Sequence, residues 1–129
     1  MEKLACIDVG LKRIGLAFCF DNSLVLPQNP VLRRNRNQAA NDVLSILKEW
    51  NIDKLIIGLP TNSPDTENRI NHFTGLLDFK SVEFQDEDFS SRDAKELAKG
   101  VFRNTRDGKI DSLSAKVILE NYIYRKNNE

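Results

Sequence analysis

The stretch LACIDVGLKRIGLAFCF, residues 4–20, holds one carboxylate, Asp8, between two runs that are otherwise almost wholly apolar. Residues 3–9 and 13–20 read as two strands, rich in Ile, Leu, Val, Phe and Cys, with the link containing Gly10 as the turn. A strand this hydrophobic that ends in an acid poses a physical problem. A lone carboxylate taken out of water is costly unless something pairs with it. The partners open to Asp8 are a cation, a phosphate-binding arrangement, water at the strand terminus, or backbone groups of the Gly10 turn.

Outward from this hairpin, LVLPQNPVL (24–32) reads as a third, weaker strand, which Pro27 and Pro30 confine to a sheet edge. In NRNQAANDVLSILKEW (35–50), Val43, Leu44, Leu47 and Trp50 recur at helical spacing and predict an amphipathic helix. DKLIIGLP (53–60) is a short buried strand ended by Gly58 and Pro60, and a buried strand after a helix suggests a parallel partner. Ser63-Pro64 can open the next helix, with Ile70, Phe73, Leu76 and Leu77 as its apolar face. KSVEFQ (80–85) is a fifth strand; helices are expected over about 91–102 and from Asp111 to Tyr124. The order β-β-β-α-β-α-β-α-α implies an α/β fold. Its mixed five-stranded sheet has the first three strands antiparallel, strands 4 and 5 parallel to strand 1, and helices flanking it. No repeat or linker breaks the chain, so residues 1–125 read as one domain and 126–129 as a short tail.

The chain has 129 residues, enough for one domain with a real core. Lys and Arg number 19, as do Asp and Glu, so the net charge is zero. That argues against a strong passive binder of polyanions, whose domain is usually basic, but leaves room for local basic patches. Cys6 and Cys19 sit inside expected strands without metal-ligand spacing and read as reduced core thiols of a cytoplasmic protein. No leader peptide is expected ahead of the first strand. No apolar run approaches the ~20 residues of a membrane helix, so no membrane partner is expected.

Three places concentrate acids where propensity does not ask for them: Asp8, then Asp86-Glu87-Asp88 just after the fifth strand, then Asp111 at the front of the last helix. Helical spacing sets Asp111 on one stripe with Ala115, Ile118 and Tyr122, which should face the sheet. Each acid has a plainer reading: turn hydrogen bonds for Asp8, a solvated loop for residues 86–88, a helix cap for Asp111. Together they mean more. Parallel strands of an α/β sheet line up their carboxyl ends along one edge, where ligands bind. Acids converging there repel one another unless a cation neutralises them. Hard oxygen donors suit Mg²⁺ or Mn²⁺, and such ions stabilise the attacking and leaving oxygens of phosphodiester cleavage.

Four blocks carry a resemblance to a known family. IDVGLKRIGLAF (7–18) resembles an opening IDxGxKRIGxA, and IIGLPTN (56–62) resembles a strand end VGLPxN. DEDFSS (86–91) resembles DERLTT, and KIDSLSAKVILENYI (109–123) resembles a closing xDxLAAxxILxxYL helix. In this order they resemble the YqgF (RuvX) family of the ribonuclease-H-like superfamily. Its members are described both as nucleases that process the 5′ end of precursor 16S ribosomal RNA and as Holliday junction resolvases. The resemblance implies a ribonuclease-H-like fold and a metal-dependent nuclease using Mg²⁺ or Mn²⁺. It implies Asp8, Glu87 and Asp111 as catalytic metal ligands; strand alternation alone does not choose Glu87 over Asp86. It further implies Lys12, Arg13, Asn62 and Lys109 as nucleic-acid contacts, and Gly58, Leu59 and Pro60 as the loop beside the site. Leu11 stands where the family usually has a small hydroxyl residue, Asp88 where it has Arg, and Ser114 where it has Ala.

A nuclease must hold a polyanion, and phosphate contacts supply affinity more than sequence reading. The basic candidates are Lys12-Arg13, the Arg33-Arg34-Arg36 cluster, Arg103-Arg106-Lys109 and Arg125-Lys126, each with a solvated surface as its plainer reading. His72, the lone histidine, reads as structural or exposed. The leading expectation is an endonuclease on structured RNA, with the ribosome or a pre-ribosome as partner, acting as a monomer or weak homodimer. The same chemistry on branched DNA is the second; cutting two strands symmetrically would require a dimer. A non-catalytic nucleic-acid or ribosome-associated binding protein is the third. DVGLKRIG also resembles the phosphate loop of actin-like and sugar-kinase folds, but those need two such domains.

Overall fold

A computed structural model of the chain describes residues 2–21, 24–60, 63–86 and 109–127, with side chains in the last stretch from Ser112 onward. The opening hairpin forms as its sequence dictates: β1 (Leu4–Val9) pairs antiparallel with β2 (Arg13–Cys19), in a register that sets Asp8 opposite Gly15 and Val9 opposite Ile14. Gly10 closes it. Its N–H donates to the Arg13 carbonyl at 3.0 Å, and a Cβ at this position would stand 2.6 Å from that same oxygen. Only glycine fits so close an approach of backbone to backbone.

The expected third strand is two. β3 (Leu26–Pro27) and β4 (Val31–Leu32) both pair antiparallel with β2, β3 against Ala17 and Phe18, β4 against Arg13 and Ile14. The sheet therefore has six strands rather than five, and the cause lies in the two prolines. Each lacks an N–H for the ladder, so residues 28–30 leave it. Only the Gln28 N–H still reaches β2, donating to the Leu16 carbonyl at 2.8 Å.

Helix α1 (Arg36–Glu49) starts at a reciprocal cap: the Asn35 side chain accepts from the Gln38 N–H while Gln38 reaches back to the Asn35 N–H. It leads into β5 (Lys54–Leu59), parallel to β1. Helix α2 (Pro64–Leu77) has Pro64 in its first turn and ends at Asp78 in the left-handed region. β6 (Val82–Asp86) pairs parallel with β5, giving the strand order β3-β2-β1-β5-β6 with β4 also on β2. Helix α3 (Lys109–Asn127) closes the described chain. It runs past the expected end at Tyr124, so Lys126 and Asn127 are helical. The helix expected over 91–102 lies outside the described residues.

Strand alternation divides the apolar side chains into two layers. Ala5, Ile7, Val9, Ile14, Leu16, Phe18, Leu55 and Ile57 face α1 and α2, whose Val43, Leu47, Ile70 and Phe73 complete that layer. Leu4, Cys6, Ala17, Cys19 and Ile56 face α3, meeting Ala115, Ile118, Leu119, Tyr122 and Ile123. Both cysteines are free and buried, as expected of core thiols. Truncating a fully buried residue such as Ile57 to alanine would cost about 2–5 kcal/mol. Among the described residues no helix is long and apolar enough to cross a membrane.

Candidate active site

Asp8 follows Leu4 and Cys6 at two-residue spacing, so it lies on the α3 face, at the carboxyl end of β1. It is half-buried, the only residue of β1 that is not fully buried. Gly15 stands directly opposite on β2 and brings no side chain to this position. Arg13 shares this face two residues along β2, diagonal to Asp8, within reach of a long side chain across a strand pair. Lys12 is exposed at the hairpin tip beside an exposed Leu11. The hairpin thus presents one acid and two bases along one edge of the sheet.

Two hydrogen bonds fix the direction of α3 over this face. At one end the Tyr122 hydroxyl donates to Glu83, near the start of β6, at 2.6 Å. At the other, the Leu16 N–H donates to Ser112 Oγ at 3.2 Å, and Leu16 pairs with Ile7, one residue before Asp8. The first turn of α3 therefore sits over the carboxyl end of β1. The Leu16 N–H faces the gap between β3 and β4, where no strand offers it a carbonyl, so a fully buried hydroxyl satisfies it instead. Ala115, Ile118 and Tyr122 are all buried against the sheet, as the stripe that includes Asp111 predicts. Asp111 lies within the helix, not ahead of it, so the capping alternative does not hold.

The acids after the fifth strand are separated by the same alternation. Glu83 bonds to Tyr122 of α3, whereas Val82 packs against the opposite layer. Asp86 shares Val82's parity, so it lies on the α1–α2 face, away from Asp8. The structure thus removes Asp86 from the candidate set, a choice that alternation without a known packing face could not make. Glu87, Asp88 and Asn62 lie outside the described residues, as do the side chains of Lys109 and Asp111. Among the described residues no three His, Cys, Asp or Glu form a metal-holding group.

The basic candidates sort by their partners. Arg125 and Lys126 lie within 3.8 and 3.5 Å of Glu83 Oε1 and over the Tyr122 ring, far from Asp8, which makes them structural. Arg33 donates to the Gly10 carbonyl at 2.9 Å, so it braces the hairpin that carries Asp8. Arg103 and Arg106 are outside the described residues. His72 is exposed on α2, as expected. Ser112 and Arg69 escaped the sequence reading. Ser112 carries no signal beyond its place next to Asp111, and Arg69 gains meaning only from what the fold sets beside it.

Comparison with known proteins gives the family and the fold. Residues 2–125 match a family model described as RuvX, Holliday junction resolvase. A protein of Sulfurovum sp. (strain NBC37-1), named "Putative pre-16S rRNA nuclease", is 56% identical over 125 residues, covering 94% of this chain and 98% of that protein. A Campylobacter lari protein of the same name is 43% identical over 124 residues, covering 93% and 96%. Among solved structures, T. thermophilus RuvC in complex with a Holliday junction substrate is 10% identical at a TM-score of 0.59, covering 99% of this chain and 97% of that one. The fowlpox virus Holliday junction resolvase is 14% identical at a TM-score of 0.57, covering 95% and 99%. At such low identity these two share the ribonuclease-H-like fold and nothing finer.

Proposed function

Because this chain belongs to the RuvX family of nucleases, we propose that it is the metal-dependent endonuclease that processes the 5′ end of precursor 16S ribosomal RNA, with Asp8, Glu87 and Asp111 as its catalytic and metal-holding residues. One observation supports this choice above the rest: the Ser112–Leu16 hydrogen bond sets the first turn of α3, to which Asp111 belongs, over the strand end that carries Asp8. The substrate named for the relatives, pre-16S rRNA, favours RNA over DNA.

The donor chemistry suits a hard divalent cation. The proposed set is all carboxylate, while the soft donors Cys6 and Cys19 are sealed in the α3 layer. Bound there, Mg²⁺ or Mn²⁺ would neutralise the carboxylates and stabilise charge developing on the phosphodiester oxygens. The chain's own residues supply placement. Arg13 and Lys12 meet the phosphates of the strand beside Asp8; Asn62 and Lys109 extend these contacts. The ribosome or its precursor is the natural setting for such a substrate, and the cytoplasm its place.

The family's own description favours a second reading, cleavage of a four-way DNA junction. One experiment separates the two. The protein is incubated in Mg²⁺ or Mn²⁺ with a precursor 16S 5′ leader fragment and with a four-way junction, alongside Asp8→Asn and Asp111→Asn. Metal-dependent cutting of the leader, absent in both variants, is expected. Cutting of the junction alone would select the second reading. A folded protein that binds either nucleic acid and cuts neither would instead favour a binding role.

A further inference from the structure

On the face of the sheet opposite Asp8, the residue after β4, the start of α1 and one side of α2 line a partly open cavity of about 250 Å³: Arg33, Arg36, Asn68, Arg69, His72 and Phe73. A water molecule occupies about 30 Å³ of liquid, so there is room for a polyatomic group. Three arginines converge on it, and no carboxylate lines it. Among the described residues, none of the three is paired with an acid.

This convergence runs against local electrostatics at each position. Arg36 opens α1, where the positive end of the helix dipole disfavours a cation, and the first turn has no acid to offset it. Burial, with the neighbouring charges of Arg69 and Arg36, pushes the Arg33 guanidinium below its ordinary value. The Arg69 Nε is buried and makes no hydrogen bond, although buried donors are nearly always satisfied. A planar, forked cation with spare donors is the usual recogniser of phosphate.

The cavity is also tied to the active edge. The Arg33 backbone N–H donates to the Lys12 carbonyl at 2.9 Å, and its guanidinium donates to the Gly10 carbonyl at 2.9 Å. One wall of the arginine cavity is therefore bonded directly to the hairpin that carries Asp8. A strand of nucleic acid crossing the carboxyl edge of the sheet would meet both.

We propose that the cavity walled by Arg33, Arg36 and Arg69 is a phosphate subsite, which grips the sugar-phosphate backbone of the substrate strand away from the bond that is cut. It rests on the nucleic-acid reading above, and the test separates the two. His72 lines the cavity and is the only histidine, so its ring resonances report on this site alone. Asp8→Asn protein is titrated with a ten-nucleotide single-stranded RNA and, separately, with inorganic phosphate. The same RNA titration is repeated in Arg36→Gln and in Arg69→Gln, each added to Asp8→Asn. Arg36 is exposed, so its variant keeps the test alive if loss of Arg69 perturbs the fold.

Saturable shifts of the His72 ring with RNA, weakened in both variants, are expected. The slope of log affinity against log salt should fall by about 0.7 for each phosphate that the variant no longer neutralises. Arg125→Gln, at a residue engaged by Glu83, should leave that slope unchanged. RNA binding with His72 unmoved and the slope intact in both variants would overturn the subsite, while cleavage by the wild type would leave the nuclease reading standing. Shifts with inorganic phosphate and none with RNA would also overturn it, marking a site for free phosphate. Shifts with RNA in a wild type that cuts nothing would uphold the subsite and remove the nuclease.

Discussion

Ser112 Oγ accepts the Leu16 backbone N–H across 96 positions of sequence, and this one bond sets the height of α3 over the sheet. Replacing Ser112 by alanine leaves a buried N–H without a partner, at a cost of about 1–3 kcal/mol. Ser112→Ala should unfold at lower urea than the wild type, followed by fluorescence of Trp50, the single tryptophan, which stacks on Phe20. Activity of the folded fraction should fall as well, because the first turn of α3 is no longer pinned to the strand end. A variant with unchanged stability would show that water takes the hydroxyl's place.

Two glycines respond oppositely to the same substitution. Gly10→Ala drives a Cβ to 2.6 Å from the Arg13 carbonyl oxygen, and that backbone cannot yield without opening the hairpin. A loss of about 1–3 kcal/mol is expected, the range of a strained backbone site, together with weaker nucleic-acid binding. Gly75 lies in α2 with nothing within 4 Å of the added Cβ. Gly75→Ala should stabilise the protein by about 0.5–1 kcal/mol through helix propensity. Paired thermal melts decide both signs.

The division of the acids by sheet face predicts a sharp contrast between neighbours. Glu87→Gln should lower metal-dependent cleavage by roughly a hundred- to a thousandfold, the scale of removing one electrostatic stabiliser of a transition state. Asp86→Asn should leave the rate within a few-fold of wild type. Single-turnover cleavage under saturating metal distinguishes them, and equal losses at both positions would refute the face assignment.

Glu83 gathers the opposite end of α3. The Tyr122 hydroxyl holds its carboxyl below the usual carboxylate value, and Lys126 and Lys54 add to this against the opposing effect of partial burial. A depressed native value stabilises the fold above the unfolded value of 4.5, and that stability is lost as pH falls through the native one. Burial and Glu83 push the Tyr122 phenol upward, so the fold also weakens as pH rises beyond the ordinary phenol value of 10.0. Tyr122→Phe should flatten both limbs of a urea midpoint measured against pH. A profile as steep as the wild type's below pH 4.5 would place the acid sensitivity elsewhere.

The hairpin was legible because its apolar runs leave Asp8 and Gly10 nothing to hide among, and α1 and α2 because their apolar positions recur at helical spacing. The break between β3 and β4 was signalled by Pro27 and Pro30, but prolines at an edge mark weakness without saying where pairing stops. Asp86 could not be set aside from sequence, since alternation gives parity and only the packing of Val82 and Glu83 tells which parity faces α3. Arg69 was illegible for a deeper reason. One arginine on a helix means little until the fold brings Arg33 and Arg36, more than thirty residues earlier, to the same cavity.

The layer that α3 covers belongs to strands made well before it, the opening hairpin and β5. A chain that has left the ribosome only as far as β5 shows Leu4, Cys6, Ala17, Cys19 and Ile56 before Ala115, Ile118, Leu119, Tyr122 and Ile123 exist to pack against them. Burial of this layer is therefore a late event in synthesis.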